Sequence, residues 1–440
     1  MKISKLFVSV TLVLSLSLAW FLCLKGEVKE RDRYQACLGL AQESVDKGLY
    51  EQAIENYKQS LTYEQSRQVY DRIMEAYELL YAEEPSAYVR SCYIEDMALA
   101  SSAYPKQAKY WKKQIALHME AQNYTGAYRA ATDAINHKAK DEELQKVYEE
   151  LLYMVQTEYQ LYDDFKTCLN GYISVFDGNL WKVIDDRGTD VTTTYRFAGL
   201  INDEGKGIYM NEIDARLLDK DQITRARFDL EIEDAGYYSE SLDCVPVKVD
   251  GSWRYLKGDG SFLPGEYEEA GSFYNNTAAV KEKGSWYLID ETGERCSSKE
   301  YEDIKLDLYG CHIQGDVILA KEEDEYHLYD TDFVKIGDFA CEEIDICIEN
   351  GLIAFMQNGL WGYVNTRGEI VIEPQYAGAK SFSNHMAAVC NQEGKWGFLN
   401  REYKTVIDYM YLDAHYFTKQ ETCMVSTTEG GYQMQKYMFE

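Results

Sequence analysis

The pattern of hydrophobic and polar positions divides the chain into three segments with different periods. The first is an unbroken apolar run at residues 6–24, flanked by lysines on both sides. At about 1.5 Å of rise per residue, this run nearly matches the roughly 30 Å hydrocarbon core of a bilayer. It predicts an N-terminal transmembrane helix at residues 1–25, acting as a signal anchor. Residues 26–37 then form a juxtamembrane linker, and the predicted localisation is single-pass membrane with the bulk of the chain extracytoplasmic.

Two other outcomes for the N-terminal run stay open, a cleaved signal peptide and a lipidated Cys23. The end of the run is bulky, with Trp20 and Phe21 close to Cys23. Signal peptidases need small residues at their cleavage site. A lipidated cysteine needs a small residue at a position that Leu22 occupies here. These bulky residues therefore favour the uncleaved anchor.

The second segment, residues 38–165, has the period of an amphipathic helix. One face carries apolar residues at Tyr50, Ala53, Ile54, Tyr57 and Leu61. The preceding helix ends at Gly48, a residue type that favours helix C-termini. A weaker match begins at Asn123, and the last part of this segment, residues 142–165, predicts a closing helix.

The first of these helical hairpins resembles a tetratricopeptide repeat. Gly48, Tyr50, Ala53 and Tyr57 match its turn glycine, turn aromatic, small packing residue and second-helix aromatic. The resemblance implies a tetratricopeptide-like α-solenoid, because one such hairpin cannot bury its own apolar face. Such a domain serves either as a concave groove for a peptide or protein partner, or as a spacer for the next domain.

The third segment, residues 170–440, repeats a short strand pattern that a tryptophan leads. The copies begin at Trp181, Trp253, Trp286, Trp361 and Trp396. One copy at residues 325–330 lacks the tryptophan, one hidden copy is expected near 205–210, and a half-copy at 431–434. Side chains alternate between two faces, as in β-strands, and turn residues follow each strand. Each copy therefore predicts a small antiparallel meander.

The repeat extends beyond the tryptophan to a shared set of aromatic and small residues. A tyrosine, an alanine and a phenylalanine recur at the same mutual spacing in three copies. These residues are Tyr267, Ala270 and Phe273; Tyr376, Ala379 and Phe382; and Tyr411, Ala414 and Phe417. Three copies with the same three residue types indicate one structural unit used repeatedly.

These copies resemble the WG, or KWG, repeat family. The Trp-Gly pair itself is kept at Trp361-Gly362 and Trp396-Gly397, whereas three other copies have a different residue after the tryptophan. The resemblance implies a non-catalytic interaction module. About seven copies suit a closed propeller-like ring, which the terminal strand would complete at the first blade, and an open β array is the alternative. The predicted fold class is multidomain α plus all-β.

Composition narrows the function classes. The formal net charge of −30 opposes binding to phosphate backbones, so we expect no nucleic-acid partner. None of the 11 cysteines forms a C-x-x-C pair, and the six histidines show no metal-binding spacing, so no metal, cofactor or catalytic residue is predicted. The 38 tyrosines serve either as half-buried filler or as an aromatic binding face.

The leading hypothesis is a membrane-anchored, non-catalytic repeat protein that binds or scaffolds protein partners at the cell surface. The alternative is a protein that binds carbohydrate or cell-wall glycan through exposed tyrosine and tryptophan. A glycosidase-like enzyme on a propeller ranks below both, since the sequence has many acids but singles out no pair of them.

Overall fold

The computed structural model describes residues 29–167, 171–348, 351–427 and 430–439. It divides into two compact units, a helical unit that ends at Leu152 and a β unit that starts at Tyr153. The order along the chain, helices first and then many small sheets, confirms the predicted helical region followed by a β-rich region. The finer assignment of the helices to tetratricopeptide repeats stays a prediction.

The predicted N-terminal transmembrane helix needs correction. Residues 1–28 lie outside the described part of the chain. Across the residues that are described, no helix is both long enough and apolar enough to cross a bilayer. This finding contradicts the predicted transmembrane helix and the single-pass localisation that depended on it, and neither is carried further. Part of the predicted linker, residues 29–37, is helical.

The helical unit consists of seven successive helices in the described residues. They are α1 (29–46), α2 (Tyr50–Leu61), α3 (Arg67–Glu83), α4 (Ala87–Ala103), α5 (Ala108–Glu120), α6 (Tyr124–Asn136) and α7 (Glu142–Leu152). A single core of buried side chains joins α1 to α5. Each helix buries one face and exposes the other, which is the arrangement that an amphipathic period produces.

A buried carboxylate fastens three of these helices together. Asp96 of α4 is 3% exposed and accepts a hydrogen bond from the Tyr77 hydroxyl of α3 at 2.8 Å. The Lys58 ammonium of α2 lies 3.1 Å from the same carboxylate. A buried charge needs such partners, because an unpaired carboxylate is strongly destabilising away from water.

The closing helix is shorter than predicted. Instead of continuing to Phe165, α7 ends at Leu152, and a strand begins at Val155. This strand has the sequence Val155-Gln156-Thr157, in which β-branched residues favour extended backbone. Its pairing partner comes from the far end of the chain, so local periodicity could not reveal it.

The β unit contains 28 strands in eight sheets within the described residues, here numbered along the chain. Strand β1 (Val155–Thr157) belongs to sheet 8. Sheet 1 contains β2 (Asp164–Thr167), β3 (Tyr172–Phe176) and β4 (Trp181–Asp185); sheet 2 contains β5 (Phe197–Ala198), β6 (Gly207–Met210), β7 (Ala215–Leu218) and β8 (Thr224–Phe228); sheet 3 contains β9 (Asp234–Ala235), β10 (Cys244–Val249) and β11 (Ser252–Lys257); sheet 4 contains β12 (Glu269–Ala270), β13 (Thr277–Glu282) and β14 (Ser285–Asp290).

The remaining four sheets repeat this order. Sheet 5 contains β15 (Asp303–Ile304), β16 (Ile318–Glu322) and β17 (Glu325–Tyr329); sheet 6 contains β18 (Glu343–Ile344), β19 (Ile353–Gln357), β20 (Leu360–Val364) and β21 (Ile370–Tyr376); sheet 7 contains β22 (Gly378–Ala379), β23 (Ala387–Cys390), β24 (Trp396–Leu399) and β25 (Thr405–Tyr411); sheet 8 contains β26 (Asp413–Ala414), β27 (Thr422–Ser426), β28 (Gln433–Tyr437) and β1. All paired strands are antiparallel, so each sheet is the predicted meander.

The eight sheets form a closed ring, because a separate apolar core lies between every consecutive pair of sheets. The seven cores from sheet 1 to sheet 8 follow one another along the chain. An eighth core contains Met424 and Met434 of sheet 8 together with Ile173, Val175 and Ile184 of sheet 1. This last core joins the two ends of the series, which favours the propeller-like alternative over an open array.

The ring is closed by strand pairing in addition to side-chain packing. Strand β1 pairs with β28, so that Gln156 faces Lys436. Strand β1, the first strand of the unit, is therefore the outermost strand of sheet 8 and pairs with β28. The sequence had predicted the reverse, that the terminal strand completes the first blade. The ring also has eight sheets in place of about seven, since the hidden copy and the final half-copy both form sheets.

Candidate functional site

The first strand of each sheet lies at the inner edge of the ring. Residues on these strands, or directly after them, contact sheets that are not their neighbours. The Lys166 ammonium of sheet 1 lies 2.7 Å from the Asp234 carboxylate of sheet 3. The Tyr416 hydroxyl of sheet 8 donates to Asp345 of sheet 6 at 2.7 Å. Contacts that skip a sheet can form only where all sheets converge, at the centre of the ring.

An acidic residue opens this innermost strand in most of the sheets. The position is defined by its pairing with the second strand, and six of the eight sheets have an acid there: Asp164, Asp234, Glu269, Asp303, Glu343 and Asp413. The other two sheets have Phe197 and Gly378 at the same position. Repetition therefore places carboxylates around the inner edge.

A second acid often precedes this one, and it has a structural role. Glu233 accepts a hydrogen bond from the Gly251 backbone N–H at 2.9 Å, and Glu342 accepts one from the Asn358 N–H at 3.0 Å. In both cases the donor lies in the hairpin that joins the second and third strands of the same sheet. Each of these acids therefore ties the hairpin of its sheet to the inner strand.

Lysines neutralise part of the inner carboxylates. Lys281 lies 2.7 Å from Glu269, and Lys305 lies 2.7 Å from Glu343 of the next sheet. The hydrogen bond to Glu269 raises the pKa of Lys281, although burial acts in the opposite direction. These ion pairs are partly exposed, so they contribute modestly to stability and remain available to exchange partners.

A cavity of about 400 Å³ opens among the inner strands, and we call it the axial pocket. Its lining includes Lys166, Asp234, Trp253, Glu269 and Asp307. Residues from each of sheets 1 to 5 contribute to this one cavity. Next to it, a small apolar cluster brings sheets 5, 6 and 8 together and contains Leu308, Tyr309, Ile346, Ile348 and Tyr416.

One cation already occupies a place beside the pocket. The Lys166 ammonium contacts the Asp234 carboxylate and lies 4.3 Å from the centroid of the Phe197 ring. The Trp181 ring centroid is 5.5 Å away from the same ammonium. A carboxylate and two aromatic faces are the groups that favour a cation, through ion pairing and through the ring quadrupole. The chemistry of this part of the ring is therefore suited to an ammonium or guanidinium group.

Asp307 has a shifted acidity within the axial pocket. Burial raises its pKa to about 6, although the backbone N–H groups of Cys311 and Tyr309 donate to its carboxylate at 2.8 and 2.9 Å. These two hydrogen bonds close a turn after the inner strand. Asn202 of sheet 2 closes a similar turn by accepting from the Lys206 and Glu204 N–H groups. The turn itself therefore does not need an ionisable side chain.

The structure places each signature tryptophan between its own sheet and the next one. Trp181, Trp253, Trp286, Trp361 and Trp396 each pack against the apolar core that follows their sheet. Each of them also pairs with a tyrosine that follows the third strand of its sheet, and the predicted Tyr267, Tyr376 and Tyr411 are three of these partners. Phe273, Phe382 and Phe417 are buried in the same cores. These residues are architectural, and of them only Trp253 also lines the axial pocket.

The glycine of the Trp-Gly pair permits a close approach of two strands. A Cβ at Gly362 would collide with the carbonyl oxygen of Ile372, and a Cβ at Gly397 would lie 2.6 Å from the carbonyl oxygen of Ile407. Both contacts occur where the fourth strand bulges. The Trp-Gly pair therefore marks the two sheets, 6 and 7, that have a long, bulged fourth strand.

The helical signature residues lie together in the helical unit. Gly48 forms the turn between α1 and α2 with a φ of +71°, a conformation that glycine adopts without strain. Ala53 and Tyr57 are buried in the helical core, and Tyr50 packs against it. The contacts of Tyr50, Ala53 and Tyr57 are packing contacts in the helical core.

The described ranges contain no cluster of side chains suited to bind a metal ion. Within them, no group of three or more histidine, cysteine, aspartate or glutamate side chains could hold a metal ion. Nine cysteines lie in these ranges, and Cys296 is the exposed one.

Sequence reasoning missed the inner carboxylates, although a signal was present. The acid lies directly before the small residue of the recurring Tyr–Ala–Phe set, as in Glu269-Ala270 and Asp413-Ala414. Asp-Ala, Glu-Ala, Asp-Ile and Glu-Ile pairs recur at this position, so the acid is a part of the repeat that is visible in the sequence.

Comparison with known families supports the repeat assignment in part of the chain. The family model described as "WG containing repeat" matches residues 262–286 and 361–396. The first match covers the sheet 4 copy up to Trp286, and the second runs from Trp361 to Trp396. No curated protein sequence matches the chain.

Several solved structures are similar in fold at very low sequence identity. Kluyveromyces lactis Hsv2p is 10% identical over 56% of this chain and 95% of its own, with a TM-score of 0.37. A eukaryotic initiation factor is 10% identical over 62% of this chain and 83% of its own, with a TM-score of 0.39. The WD40 β-propeller domain of Doa1 is 10% identical over 64% and 95%, with a TM-score of 0.33. The ring closure rests on the sheet order and the inter-sheet cores, independently of these similarities.

Proposed function

We propose that this chain is a non-catalytic repeat protein that binds protein partners, and that the axial pocket receives a basic side chain of the partner. The observation that carries the proposal is the acid at one inner-strand position in six of the eight sheets. A ring that repeats a carboxylate at its centre presents the same charge from several directions. A single lysine or arginine in an extended segment could bind there without a unique register.

The internal lysine supports this choice of ligand chemistry. Lys166 pairs with Asp234 beside two aromatic rings, which is the environment that a partner's ammonium or guanidinium would need. The net charge of −30 favours encounter with basic partners and raises their association rate. Specificity would come from the pocket, since the overall charge attracts any cation.

The helical unit offers a second role in the same function. A continuous core joins five of its seven helices, α1 to α5, and the opposite faces of these helices are exposed, as in repeat proteins that bind peptides. We propose a tetratricopeptide-like unit that acts either as a second binding surface or as a spacer. Deleting residues 29–152 separates these two roles, because only a binding surface would lower affinity for a partner that the β unit binds.

The test uses the full-length chain and a synthetic peptide that alternates lysine and serine. The double variant Asp234→Asn, Glu269→Gln removes two carboxylates of the axial pocket. Its matched control, Glu291→Gln, Glu393→Gln, removes two exposed acids outside the pocket and has the same net charge. We expect the pocket variant to bind the peptide about tenfold more weakly, a loss of roughly 1.4 kcal/mol in binding free energy, and the control to bind like the wild type.

Calorimetry at two salt concentrations measures this difference. Equal losses for the two double variants would contradict the proposal, because they would show that only net charge matters. A second peptide, with glutamate in place of lysine, is expected not to bind. Binding of both peptides with similar affinity would also contradict a cation-selective pocket.

One observation favours the lower-ranked glycosidase-like activity. Asp307 has a pKa of about 6 and shares a cavity with Asp234 and Glu269, and a glycosidase needs one protonated and one ionised carboxyl group. We propose that Asp307 is a turn residue instead, since Asn202 does the same work in sheet 2. Hydrolysis of chromogenic glycosides that the Asp307→Asn variant abolishes would contradict the non-catalytic assignment.

A further inference from the structure

A second cavity lies between sheets 4 and 5, and we call it the inter-sheet cavity. Its volume is about 660 Å³, and its lining includes Thr277, Cys296, Tyr301, His312 and Phe333. It shares no lining residue with the axial pocket. A single ordered water occupies only about 30 Å³ of liquid volume, so the space is large enough for a small organic molecule.

Two buried polar atoms of this lining have no hydrogen-bond partner among the described atoms. They are the hydroxyl of Tyr301 and the Nδ1 atom of His312. Tyr301 is 4% exposed and His312 is fully buried. Buried polar atoms are satisfied in most folded proteins, because leaving one unpaired is destabilising. Two such atoms in the lining of one cavity are groups that a water or a bound molecule would satisfy.

The hydrogen bonds of Thr277 define what His312 can accept. The Thr277 hydroxyl donates to the carbonyl oxygen of Tyr274 at 3.2 Å, and its oxygen lies 3.3 Å from Nε2 of His312. Since the only hydroxyl proton is already used, Nε2–H is the donor in the second contact. Burial lowers the pKa of His312 to about 4, so the ring is neutral near pH 7. The Nδ1 atom is then a lone-pair acceptor that needs a donor.

Equivalent tyrosines in other sheets show what Tyr301 lacks. The Tyr195 hydroxyl donates to the side-chain oxygen of Gln222 at 2.7 Å, and the Tyr267 hydroxyl donates to the carbonyl oxygen of Pro264 at 3.3 Å. The Tyr411 hydroxyl accepts from the Gln435 side chain at 2.7 Å. All three tyrosines pair with the signature tryptophan of their sheet, as Tyr301 pairs with Trp286. The unpartnered hydroxyl is therefore a property of this one cavity and not of the repeat.

The charges around the cavity argue against an anionic ligand. Lys299 lies over the Tyr301 ring, 4.9 Å from its centroid, but its ammonium is already paired with Glu322. Burial also raises the pKa of Tyr301 to about 12, so this hydroxyl stays neutral. The carboxylate of Asp332 also lines the cavity and repels anions. The two unpartnered atoms themselves belong to neutral groups, in the same lining as the aromatic ring of Phe333.

We propose that the inter-sheet cavity binds a neutral polyhydroxylated molecule, of the class of a hexose or an N-acetylhexosamine unit. One ligand hydroxyl or amide N–H donates to His312 Nδ1, and a second hydroxyl pairs with the Tyr301 hydroxyl. The apolar face of a sugar ring can pack on Phe333, as sugar rings commonly do on aromatic side chains. This inference is independent of the proposed cation site, since the two sites share no residue.

The experiment titrates glucose and N-acetylglucosamine into the full-length chain and follows binding by saturation-transfer NMR and calorimetry. Glucose 6-phosphate serves as the anionic comparison. We expect at least one neutral sugar to bind and the phosphate to bind more weakly. If neither neutral sugar binds, or if the phosphate binds best, the proposal is wrong.

Two tyrosine variants test the position of the ligand. Tyr301→Phe removes only the unpartnered hydroxyl, so we expect a normal unfolding transition and at least a roughly tenfold loss of sugar affinity. Tyr267→Phe is the matched control in sheet 3 and is expected to keep full affinity. Unchanged affinity in Tyr301→Phe, or equal losses in both variants, would overturn the assignment. Binding of the lysine peptide should be the same in both.

Cys296 supplies a measurement that needs no substitution. It lines the inter-sheet cavity and is the exposed thiol among the described cysteines. A bound sugar should therefore slow its reaction with a thiol reagent several-fold in the wild-type chain. An unchanged labelling rate at a saturating sugar concentration would place the ligand elsewhere and reject this cavity as its site.

Discussion

Sheets 6 and 7 differ from sheets 1 and 3 to 5 in regularity and in what they contribute to the axial pocket. The two regular sheets keep the Trp-Gly pair and have a long fourth strand, β21 or β25. In the other four sheets, that strand is reduced to isolated bridges around Tyr195, Tyr267, Tyr301 and Cys341. Yet every charged residue of the axial pocket comes from this second group. The copies that keep the Trp-Gly pair have the long fourth strand, and copies without the pair supply the charged residues of the axial pocket.

The largest expected effect comes from substituting the glycine of the Trp-Gly pair in sheet 6. Gly362→Val places a side chain against the carbonyl oxygen of Ile372, so β20 and β21 cannot approach as they do. We expect a loss of about 3 kcal/mol in the free energy of unfolding, measured by urea denaturation. The control is Gly359→Ala, where φ is +74° but a Cβ would meet no other atom. We expect this control to lose about 1 kcal/mol in the free energy of unfolding. Equal losses would show that backbone conformation, and not close approach, explains the Trp-Gly pair.

The second effect concerns the diverged group and depends on pH. The folded-state pKa of Asp307 is about 6, above its ordinary value of 3.8. Between pH 3.8 and about 6, the native state therefore binds a proton that the unfolded state does not bind. The contribution of Asp307 to the free energy of unfolding consequently increases as the pH falls from about 6 to 4. Relative to wild type, Asp307→Asn should lose this pH dependence, which amounts to about 2 kcal/mol across the window.

Urea denaturation of wild type and Asp307→Asn at pH 4, 5 and 6 measures the difference between them, which removes the contribution of other titrating groups. A constant difference across these pH values would contradict the raised pKa. It would also weaken the distinction between Asp307 and its neutral counterpart Asn202.

A third, smaller effect is expected to be the same in both groups. The Tyr363 hydroxyl of sheet 6 donates to the carbonyl oxygen of Lys380 in sheet 7 at 3.0 Å. The Tyr255 hydroxyl of sheet 3 donates to that of Gly271 in sheet 4 at 2.7 Å. Tyr363→Phe and Tyr255→Phe should each lose about 1 to 1.5 kcal/mol in urea denaturation. A clear difference between them would mean that the Trp-Gly pair also governs contacts between sheets.

The smallest effect is expected when a glycine is placed after the signature tryptophan of sheet 3, which lacks the Trp-Gly pair. Arg254 follows Trp253 in sheet 3, and its guanidinium lies 4.0 Å from the centroid of the Phe262 ring. Arg254→Gly should lose this contact and the 3.8 Å ion pair with Glu266 but create no clash, so the free energy of unfolding should fall by about 1 kcal/mol. A gain in stability would contradict this expectation and would show that the diverged sheets tolerate the regular geometry.

The sequence allowed the repeating unit to be predicted, but not the site at its centre. The signature tryptophans and the tyrosines that pair with them recur at fixed spacing, so the meander is visible in one dimension. The axial pocket combines Lys166, Asp234 and Asp307 from distant parts of the chain. Nothing in a single copy shows that these residues converge, because their proximity depends on how many sheets close the ring.

The helical unit shows the same limit at its end. The apolar period continues from α7 into the residues that form β1, so pattern alone predicted one helix to Phe165. Pairing with β28 decides the conformation of Val155–Thr157, and that partner is nearly a whole unit away in sequence. Long-range pairing therefore overrode a weak local preference, as it often does for short strands.

The pairing of β1 with β28 has a consequence for how the chain folds during synthesis. Strand β1 has to wait until β28 has been synthesised before its backbone N–H and C=O groups find their hydrogen-bond partners. Contacts of such high sequence separation form slowly. Until sheet 8 has formed, sheets 1 and 7 each expose one face, a period in which a chaperone would be of most use.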